Sequence, residues 1–216
     1  QIIPPAGYLT KVYESIRAAG GVCIADEVQT GLGRLGAVYW GFEQQGAQPD
    51  IVVLGKPLGN GHPMGAVVTT TEMARSFDNG IEFFSTFGGS TLSCRTGTEV
   101  LRIVDEERLQ ENARVMGEQL LAGLRALQAR HALIGDVRGI GLFVGVELVT
   151  DRGQRSPATD AAHYVVNRLR EERILIGTEG PGDNVLKVRP PLTVRAGDVD
   201  LLVATLDRVL GETAFL

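Results

Sequence analysis

The chain has 216 residues, of which 44% are hydrophobic and 22% charged, and its net charge is −5 at neutral pH. This balance is typical of a globular protein, and the negative charge argues against a nucleic-acid or anionic-membrane partner. No apolar run approaches the roughly 20 residues of a membrane-spanning helix, so we expect no membrane partner. The two cysteines, Cys23 and Cys94, favour a reduced compartment over a disulfide framework, and we expect a cytoplasmic protein.

The first segments alternate between helix and strand patterns. Tyr8, Val12 and Ile16 recur every four residues and predict an amphipathic helix that ends at Gly20-Gly21. Residues 22–25 predict a buried strand, which leads directly into two carboxylates, Asp26 and Glu27. Taken alone, this acidic pair fits an exposed turn as well as a site at a strand end.

A second apolar run, residues 51–54, is separated from Lys56 by a single residue, Gly55. Four apolar residues in a row predict a strand covered on both faces, as in a parallel sheet. Lys56 then lies just past the carboxyl end of its strand, in a loop too rich in glycine and proline to be helical. Ligands of open α/β sheets bind at that edge, and a lysine that loses hydration there can attack a carbonyl. The sequence therefore predicts a reactive lysine.

Between these strands, Gly31-Leu-Gly-Arg-Leu-Gly36 matches the G-x-G-x-x-G pattern of dinucleotide-binding proteins. In such proteins the glycines join a strand tightly to a helix, whereas here five residues intervene and no clear strand–helix–strand unit follows. We therefore favour a glycine-rich active-site loop over a nicotinamide site. The phosphate-binding Walker pattern is also absent, because Pro57 follows Lys56 and position 50 is Asp50.

The next segments predict a third strand at 65–70 and a short helix at 72–77 with a threonine cap. The loop at 83–89 carries three phenylalanines, two hydroxyls and two glycines, which fits a phosphate-binding turn or a plain packed loop. Helices are expected at about 92–106 and 107–130. The apolar residues of the second recur on one face: Leu109, Ala113, Met116, Leu120, Leu124 and Leu127.

The last third of the chain has a different sequence pattern. Short strands are expected at 140–148, 174–178 and 185–188, and helices at 158–173 and 196–210. This order predicts a small α+β domain. We place the domains at residues 1–100 and 101–216.

Asp26 and Lys56 are separated by 56 − 26 = 30 residues, about one strand–helix–strand unit. Because each follows a strand, we expect both to face one crevice. A lysine that forms a Schiff base and an acid that keeps a pyridine nitrogen protonated are the protein groups that pyridoxal phosphate needs. Spacing alone leaves this interpretation open.

Three motifs occur together: Ala25-Asp-Glu-Val-Gln-Thr-Gly-Leu-Gly-Arg34, Pro49-Asp-Ile-Val-Val-Leu-Gly-Lys56 and Thr86-Phe-Gly-Gly89. In order and spacing they resemble the class III aminotransferases of the fold type I pyridoxal-phosphate enzymes, from residue 1 to about 212. The resemblance implies an α/β fold: part of the large cofactor domain followed by the small α+β domain. It implies an enzyme that moves an amino group between an amine or amino acid and a keto acid, as a homodimer with shared active sites.

The resemblance also implies residue roles. Lys56 is the Schiff-base lysine and proton shuttle, and Asp26 pairs with the pyridinium nitrogen. Val28 packs on one face of the ring, and Gln29 approaches its phenolic oxygen. Thr86 binds the cofactor phosphate, usually that of the neighbouring subunit.

Arg189 matches a family arginine that often holds the substrate carboxylate, for which bidentate hydrogen bonds suit a guanidinium. The alternative is a surface arginine ahead of Pro190-Pro191. We expect no metal site, since Cys94 is far from any pair of histidines or cysteines.

The sequence departs from the family in two ways. The family is about twice as long, and its upstream half, with a phosphate loop and a stacking aromatic, has no counterpart here. With no methionine before Gln1-Ile-Ile-Pro-Pro, we interpret the chain as a carboxyl-terminal part, and an inactive scaffold is one alternative. The loop Gly55-Lys-Pro-Leu-Gly-Asn-Gly-His-Pro63 is more like that of ethanolamine-phosphate and hydroxylysine-phosphate phospho-lyases, which eliminate phosphate. Phospho-lyase is therefore a second alternative, and we interpret His62 as supporting structure.

Overall fold

The computed structural model describes residues 1–212, which divide into two compact units. The amino-terminal unit is Pro4–Gln110. The carboxyl-terminal unit is the chain from Glu111 onward together with Gln1–Ile3. The domain boundary between residues 100 and 101 stays a prediction.

The amino-terminal unit contains three helices, three strands and two short 3-10 helices. In chain order these are α1 (Tyr8–Ala18), β1 (Ile24–Asp26), a 3-10 helix (Gly41–Gln45), β2 (Ile51–Leu54), a 3-10 turn (Lys56–Leu58), β3 (Ala66–Thr69), α2 (Thr71–Phe77) and α3 (Thr91–Glu106). The predicted helices and the second and third strands are confirmed to within a few residues. Thr70 caps α2 as expected, since its hydroxyl accepts a hydrogen bond from the Met73 N–H at 3.3 Å.

The three strands form one sheet in the order β1-β2-β3. β1 runs parallel to β2 with Asp26 opposite Val53, and β3 runs antiparallel to β2. The connection from β1 to β2 contains the 3-10 helix but no α-helix, so the 30-residue spacing of Asp26 and Lys56 does not come from a helical crossover. Leu32, Gly33 and Gly36 have positive φ there, which is incompatible with a continuous right-handed helix.

Within residues 1–212, the strand expected to be buried at 22–25 is only partly buried, and β2, expected to be covered on both faces, is fully covered on neither. Cys23 and Ala25 are buried, whereas Ile24 is 57% exposed and β2 is half-buried along its length. Side chains alternate between the two faces of a strand, so the alternating burial of residues 23–26 shows that β1 is covered on one face. The uniform half-burial of β2 shows no such difference between its faces. Tyr13 of α1 packs with Cys23 on the covered side of β1.

The carboxyl-terminal unit is an antiparallel sheet packed with helices, as predicted for a small α+β domain. Its sheet order is β4-β5-β8-β7, with a short β6 paired to β5. The elements are α4 (Leu109–Arg130), β4 (Ile134–Ile140), β5 (Phe143–Asp151), β6 (Ser156–Pro157), α5 (Thr159–Glu171), β7 (Gly177–Glu179), β8 (Val185–Val188) and α6 (Ala196–Leu210).

A hairpin replaces the single strand expected at 140–148. Its first strand, β4, was missed because a register shift between Ile134 and Asp136 breaks the alternation of apolar and polar residues. The turn at Gly141, with φ 53°, then reverses the chain into β5.

The core of this unit confirms the predicted face of α4. Leu120, Leu124 and Leu127 are fully buried against Val146 and Leu148 of β5 and against residues of α5, β8 and α6. The helix approaches the hairpin closely at Gly117, where an added Cβ would lie 2.4 Å from the backbone of Gly141.

Candidate active site

The ends of β1 and β2 bring Asp26 and Lys56 to one edge of the sheet. The Glu27 N–H donates to the Val53 carbonyl at 2.9 Å, which ties the end of β1 to β2. Asp26 is opposite Val53 of β2, and Lys56 follows Val53 in the chain by 56 − 53 = 3 residues. Neighbouring strands are about 4.8 Å apart, so both side chains start from the same carboxyl edge, as the sequence predicts.

The two carboxylates at the end of β1 have different surroundings. Asp26 is exposed, and one of its oxygens accepts the Val28 N–H at 3.0 Å. Glu27 is only 3% exposed. The interpretation of the pair as an exposed turn therefore fits Asp26 alone.

Glu27 is held by three donors from the segment that connects β1 to β2. Its carboxylate accepts the Gly41 N–H at 2.7 Å, the Phe42 N–H at 2.9 Å and the Thr30 hydroxyl at 2.9 Å. A buried carboxylate with three hydrogen bonds fixes the chain direction just after Asp26. Sequence reasoning missed this anchor, because its partners lie up to 15 residues away in a segment without regular pattern.

Lys56 opens the loop after β2 and is exposed. Its φ is 36°, in the left-handed region that side chains rarely adopt. Such strain is typical of functional positions that their surroundings hold in place. A Cβ added to Gly55 would lie 3.5 Å from Val28, so the Val28 side chain covers the base of this loop.

These residues fit the pyridoxal phosphate that the resemblance implies. An exposed lysine and an exposed carboxylate share one sheet edge, and the half-buried Val28 lies between the two strand ends. Gln29 follows Val28 and is exposed. An amine, an acid and a flat apolar surface are the groups that hold an aldehyde-bearing pyridine ring.

Thr86 lies in the connection between α2 and α3, in a loop with its aromatic side chains outward. Phe83, Phe84 and Phe87 are 72%, 79% and 84% exposed. Within the loop, the Gly88 N–H donates to the Ser85 hydroxyl at 3.0 Å. This bond engages one of the backbone amides of the glycine turn.

Arg189 belongs to the carboxyl-terminal unit and directly follows β8. It is exposed at the wall of an open groove of about 810 Å³, which Leu202, Pro190 and Pro191 also line. Partial burial lowers the pKa of the Arg189 guanidinium, which still carries its charge at neutral pH. A cation at an apolar wall suits a ligand with one anionic and one apolar part.

Comparison with known proteins agrees with the motifs. The profile of the family described as "Aminotransferase class-III" matches residues 1–210. The "alanine-glyoxylate aminotransferase 2-like" protein of Drosophila melanogaster is 52% identical over 93% of this chain and 41% of its own length. "Alanine-glyoxylate aminotransferase 2 homolog 2, mitochondrial" of Arabidopsis thaliana is 45% identical over 93% of this chain and 42% of its own.

Among solved structures, a phospholyase from Arthrobacter in complex with phosphoethanolamine superposes with a TM-score of 0.93 at 41% identity. The match covers 97% of this chain and 50% of that one. The chain thus spans about half the length of this structure and about two-fifths of the curated relatives. None of the helices within residues 1–212 is long and apolar enough to cross a bilayer.

Proposed function

The chain belongs to the class III aminotransferases, fold type I enzymes that depend on pyridoxal phosphate, and on this premise we propose that it transfers an amino group between an amine or amino acid and a keto acid. The observation that carries the proposal is the parallel register of β1 and β2. It brings Asp26 and the Lys56 loop to one sheet edge.

Each residue at this edge has a proposed task. Pyridoxal phosphate, when bound, supplies an electron sink for the charge that develops at the substrate α carbon. Lys56 would hold the cofactor covalently and, once the substrate amine has displaced it, move the proton at that carbon. Asp26 would keep the ring nitrogen protonated through an ion pair. Val28 would support one face of the ring, and Gln29 would hydrogen-bond its phenolic oxygen.

Two residues outside this edge also have proposed tasks. Thr86 would donate its hydroxyl to the cofactor phosphate of a neighbouring subunit. Arg189 would hold the substrate carboxylate, and its place at an apolar groove supports a substrate with both an acid and an apolar portion.

We further propose a homodimer with shared active sites. Three exposed phenylalanines around Thr86 make an apolar patch that a partner subunit would cover. The cytoplasm is the proposed location, supported by the two free cysteines. A mitochondrial location is the alternative, suggested by the name of the Arabidopsis relative.

The second candidate activity is phosphate elimination from a phosphorylated amine. Two observations favour it: the likeness to the phosphoethanolamine-bound phospholyase and the Gly-Lys-Pro-Leu-Gly-Asn-Gly-His-Pro loop. Lys56 would take the substrate α proton in both reactions, so the fate of the β substituent separates them. A screen of amines that measures keto-acid formation and phosphate release together decides between the two.

The cofactor proposal has a direct spectroscopic test. Pyridoxal phosphate added to the purified protein should produce a visible absorption band that Lys56→Ala abolishes. Lys11→Ala is the matched control, because Lys11 is an exposed lysine of α1 and its loss should leave the band intact. A band that survives Lys56→Ala contradicts the assignment. If residues 1–216 alone form no band but a longer chain does, the chain by itself is an inactive scaffold.

A further inference from the structure

The loop that carries Lys56 is closed at its base and built from successive turns. β2 and β3 pair at Leu54 and Ala66, so residues 55–65 form the whole connection. Within it, each of four amide hydrogens donates to the carbonyl three residues earlier, at 2.9–3.2 Å. These amides belong to Leu58, Gly59, Asn60 and His62. These turns form one continuous hydrogen-bonded segment from Lys56 to His62, which we call the coil.

The coil lies against one face of α3. The His62 Nε2 is 2.8 Å from the Ser93 hydroxyl oxygen. One helical turn further, Gly97 leaves room for Met64, whose terminal carbon would lie 2.8 Å from an added Cβ. Leu58, which is 4% exposed, approaches the same glycine. Ser93 and Gly97 are four residues apart and therefore present one face to the loop.

The apolar contacts and the hydrogen bond differ in how precisely they position the loop on α3. Leu58 and Met64 hold the loop on the helix by apolar packing, which has little directional preference. The bond between His62 and Ser93 depends on the distance and angle of two polar atoms, so it sets the position of the loop along α3. The positive φ of Lys56 is a strained conformation, which persists only if the surroundings determine it.

We propose that His62 is a positioning residue for Lys56. Its hydrogen bond to Ser93 fixes the far end of the coil on α3, and the turns between them transmit that position to the lysine. The inference rests on the proposed role of Lys56, and His62 itself touches no reacting atom in it.

The test compares two isosteric substitutions in the intact enzyme. Ser93→Thr keeps the hydroxyl, whereas Ser93→Val replaces it with a methyl group on an equally branched side chain. In cofactor-free protein we expect the amides of Leu58, Gly59, Asn60 and His62 to exchange with deuterium about fivefold faster in Ser93→Val than in Ser93→Thr, because one hydrogen bond is lost. Loaded with cofactor, Ser93→Val should lose about tenfold in kcat with KM little changed, because the lysine is misplaced.

Two further variants separate positioning from general damage. Thr98→Val removes another α3 hydroxyl, one that donates to the Cys94 carbonyl of its own helix at 2.8 Å, and should change neither readout. His62→Phe keeps a ring without the nitrogen and should reproduce Ser93→Val. The double variant should be no worse than either single one, since both remove the same bond.

The outcomes distinguish failure of the positioning role of His62 from failure of the proposed function. If wild-type protein forms no visible band that depends on Lys56, the proposed function fails. If that band forms and Ser93→Val matches Ser93→Thr in both exchange and kcat, the positioning role of His62 is overturned. Should Ser93→Val fail to fold, the same comparison between His62→Phe and His62→Asn, which retains a polar group, decides the point.

Discussion

Two adjacent carboxylates at the end of β1 perform separate tasks because their surroundings differ. Glu27 is buried and anchored by three hydrogen bonds, so it serves the backbone. Asp26 is exposed at the sheet edge and has one bond to the Val28 N–H, which leaves most of its carboxylate accessible. The anchored Glu27 thus fixes the backbone next to Asp26, the residue that we propose pairs with the cofactor.

Asp26→Asn in the intact enzyme should lower kcat by about 100-fold while the cofactor stays bound, because the neutral amide cannot keep the ring nitrogen charged. Asparagine retains an oxygen for the Val28 N–H, so the local turn should survive. The measurements are turnover and the visible absorbance of bound cofactor. Turnover within about threefold of wild type, less than 1 kcal/mol, would show that Asp26 has another role.

For single residues, the sequence predicts a location well when the residue lies at the end of a strand. Asp26 and Lys56 each come directly after an apolar run, so their common edge could be predicted from the order of elements alone. Ser93 could not be paired with His62, because the two are 31 residues apart and join a loop to a helix. Nothing local to either residue signals that contact.

Helix α4 and the β4–β5 hairpin meet where two glycines allow close contact. Gly117→Ala should destabilise the protein by about 1–3 kcal/mol, because its Cβ would lie 2.4 Å from the Gly141 backbone. Chemical denaturation measures the change. The same substitution at Gly197 of α6, where a Cβ would meet nothing within 4 Å, should not destabilise. Equal midpoints for the two variants would mean that α4 can shift freely on the hairpin.

Glu212, just past α6, joins this helix to α5. Hydrogen bonds from Arg168, at 2.9 and 3.0 Å, and from the Tyr164 hydroxyl, at 2.5 Å, lower the pKa of Glu212 from 4.5 to about 2. The folded state therefore binds this proton more weakly than the unfolded state. The stabilisation is complete above about pH 4.5 and disappears as the pH falls toward 2.

Glu212→Gln should accordingly lower the unfolding temperature near pH 7, and its difference from wild type should shrink below about pH 4.5. Thermal unfolding followed by circular dichroism across this pH range measures the effect. Glu171→Gln removes another partner of Arg168, one whose side chain is 61% exposed, and should have a smaller effect at every pH. A difference that stays constant down to pH 2.5 would contradict the linkage.

Elements with an unbroken period were predictable, and those with an interruption were not. Helix α4 shows its buried face directly in the spacing of Leu120, Leu124 and Leu127. Strand β4 hides its alternation because of the register shift near Asp136. The β1–β2 connection has the length of a helical crossover, but the positive φ angles of Leu32, Gly33 and Gly36 exclude an α-helix in that part of it.

At the scale of the whole molecule, the described surface includes apolar groups that the chain does not cover. Besides the phenylalanines around Thr86, Ile24 and Val67 of the three-stranded sheet are 57% and 66% exposed. Sequence patterns predicted the α/β class but not the exposure of Ile24 and Val67, because an apolar run does not reveal which atoms bury it.

The proposed shared site predicts complementation between inactive subunits. Full-length Lys56→Ala and Thr86→Ala subunits are mixed under conditions of exchange. If Thr86 serves the partner's cofactor, one site of each hybrid carries both lesions and the other carries none. Half of the dimers are then hybrids, so activity should recover to roughly a quarter of wild type.

The controls are the two variants exchanged only with themselves, which should stay inactive. Labelled subunits report whether hybrids form. Hybrids that form without recovered activity would place Thr86 in its own subunit's site or away from phosphate altogether.

The carboxyl-terminal unit draws on both ends of the chain, and this has a consequence for biosynthesis. The Gln1 carbonyl accepts a hydrogen bond from Arg138 across 137 positions of sequence, and residues 4–110 lie between as an inserted unit. At about 5–20 residues per second, on the order of ten seconds separate the translation of Gln1 from that of Arg138. The inserted residues 4–110 are therefore synthesised before Arg138, while residues 1–3 still await that partner.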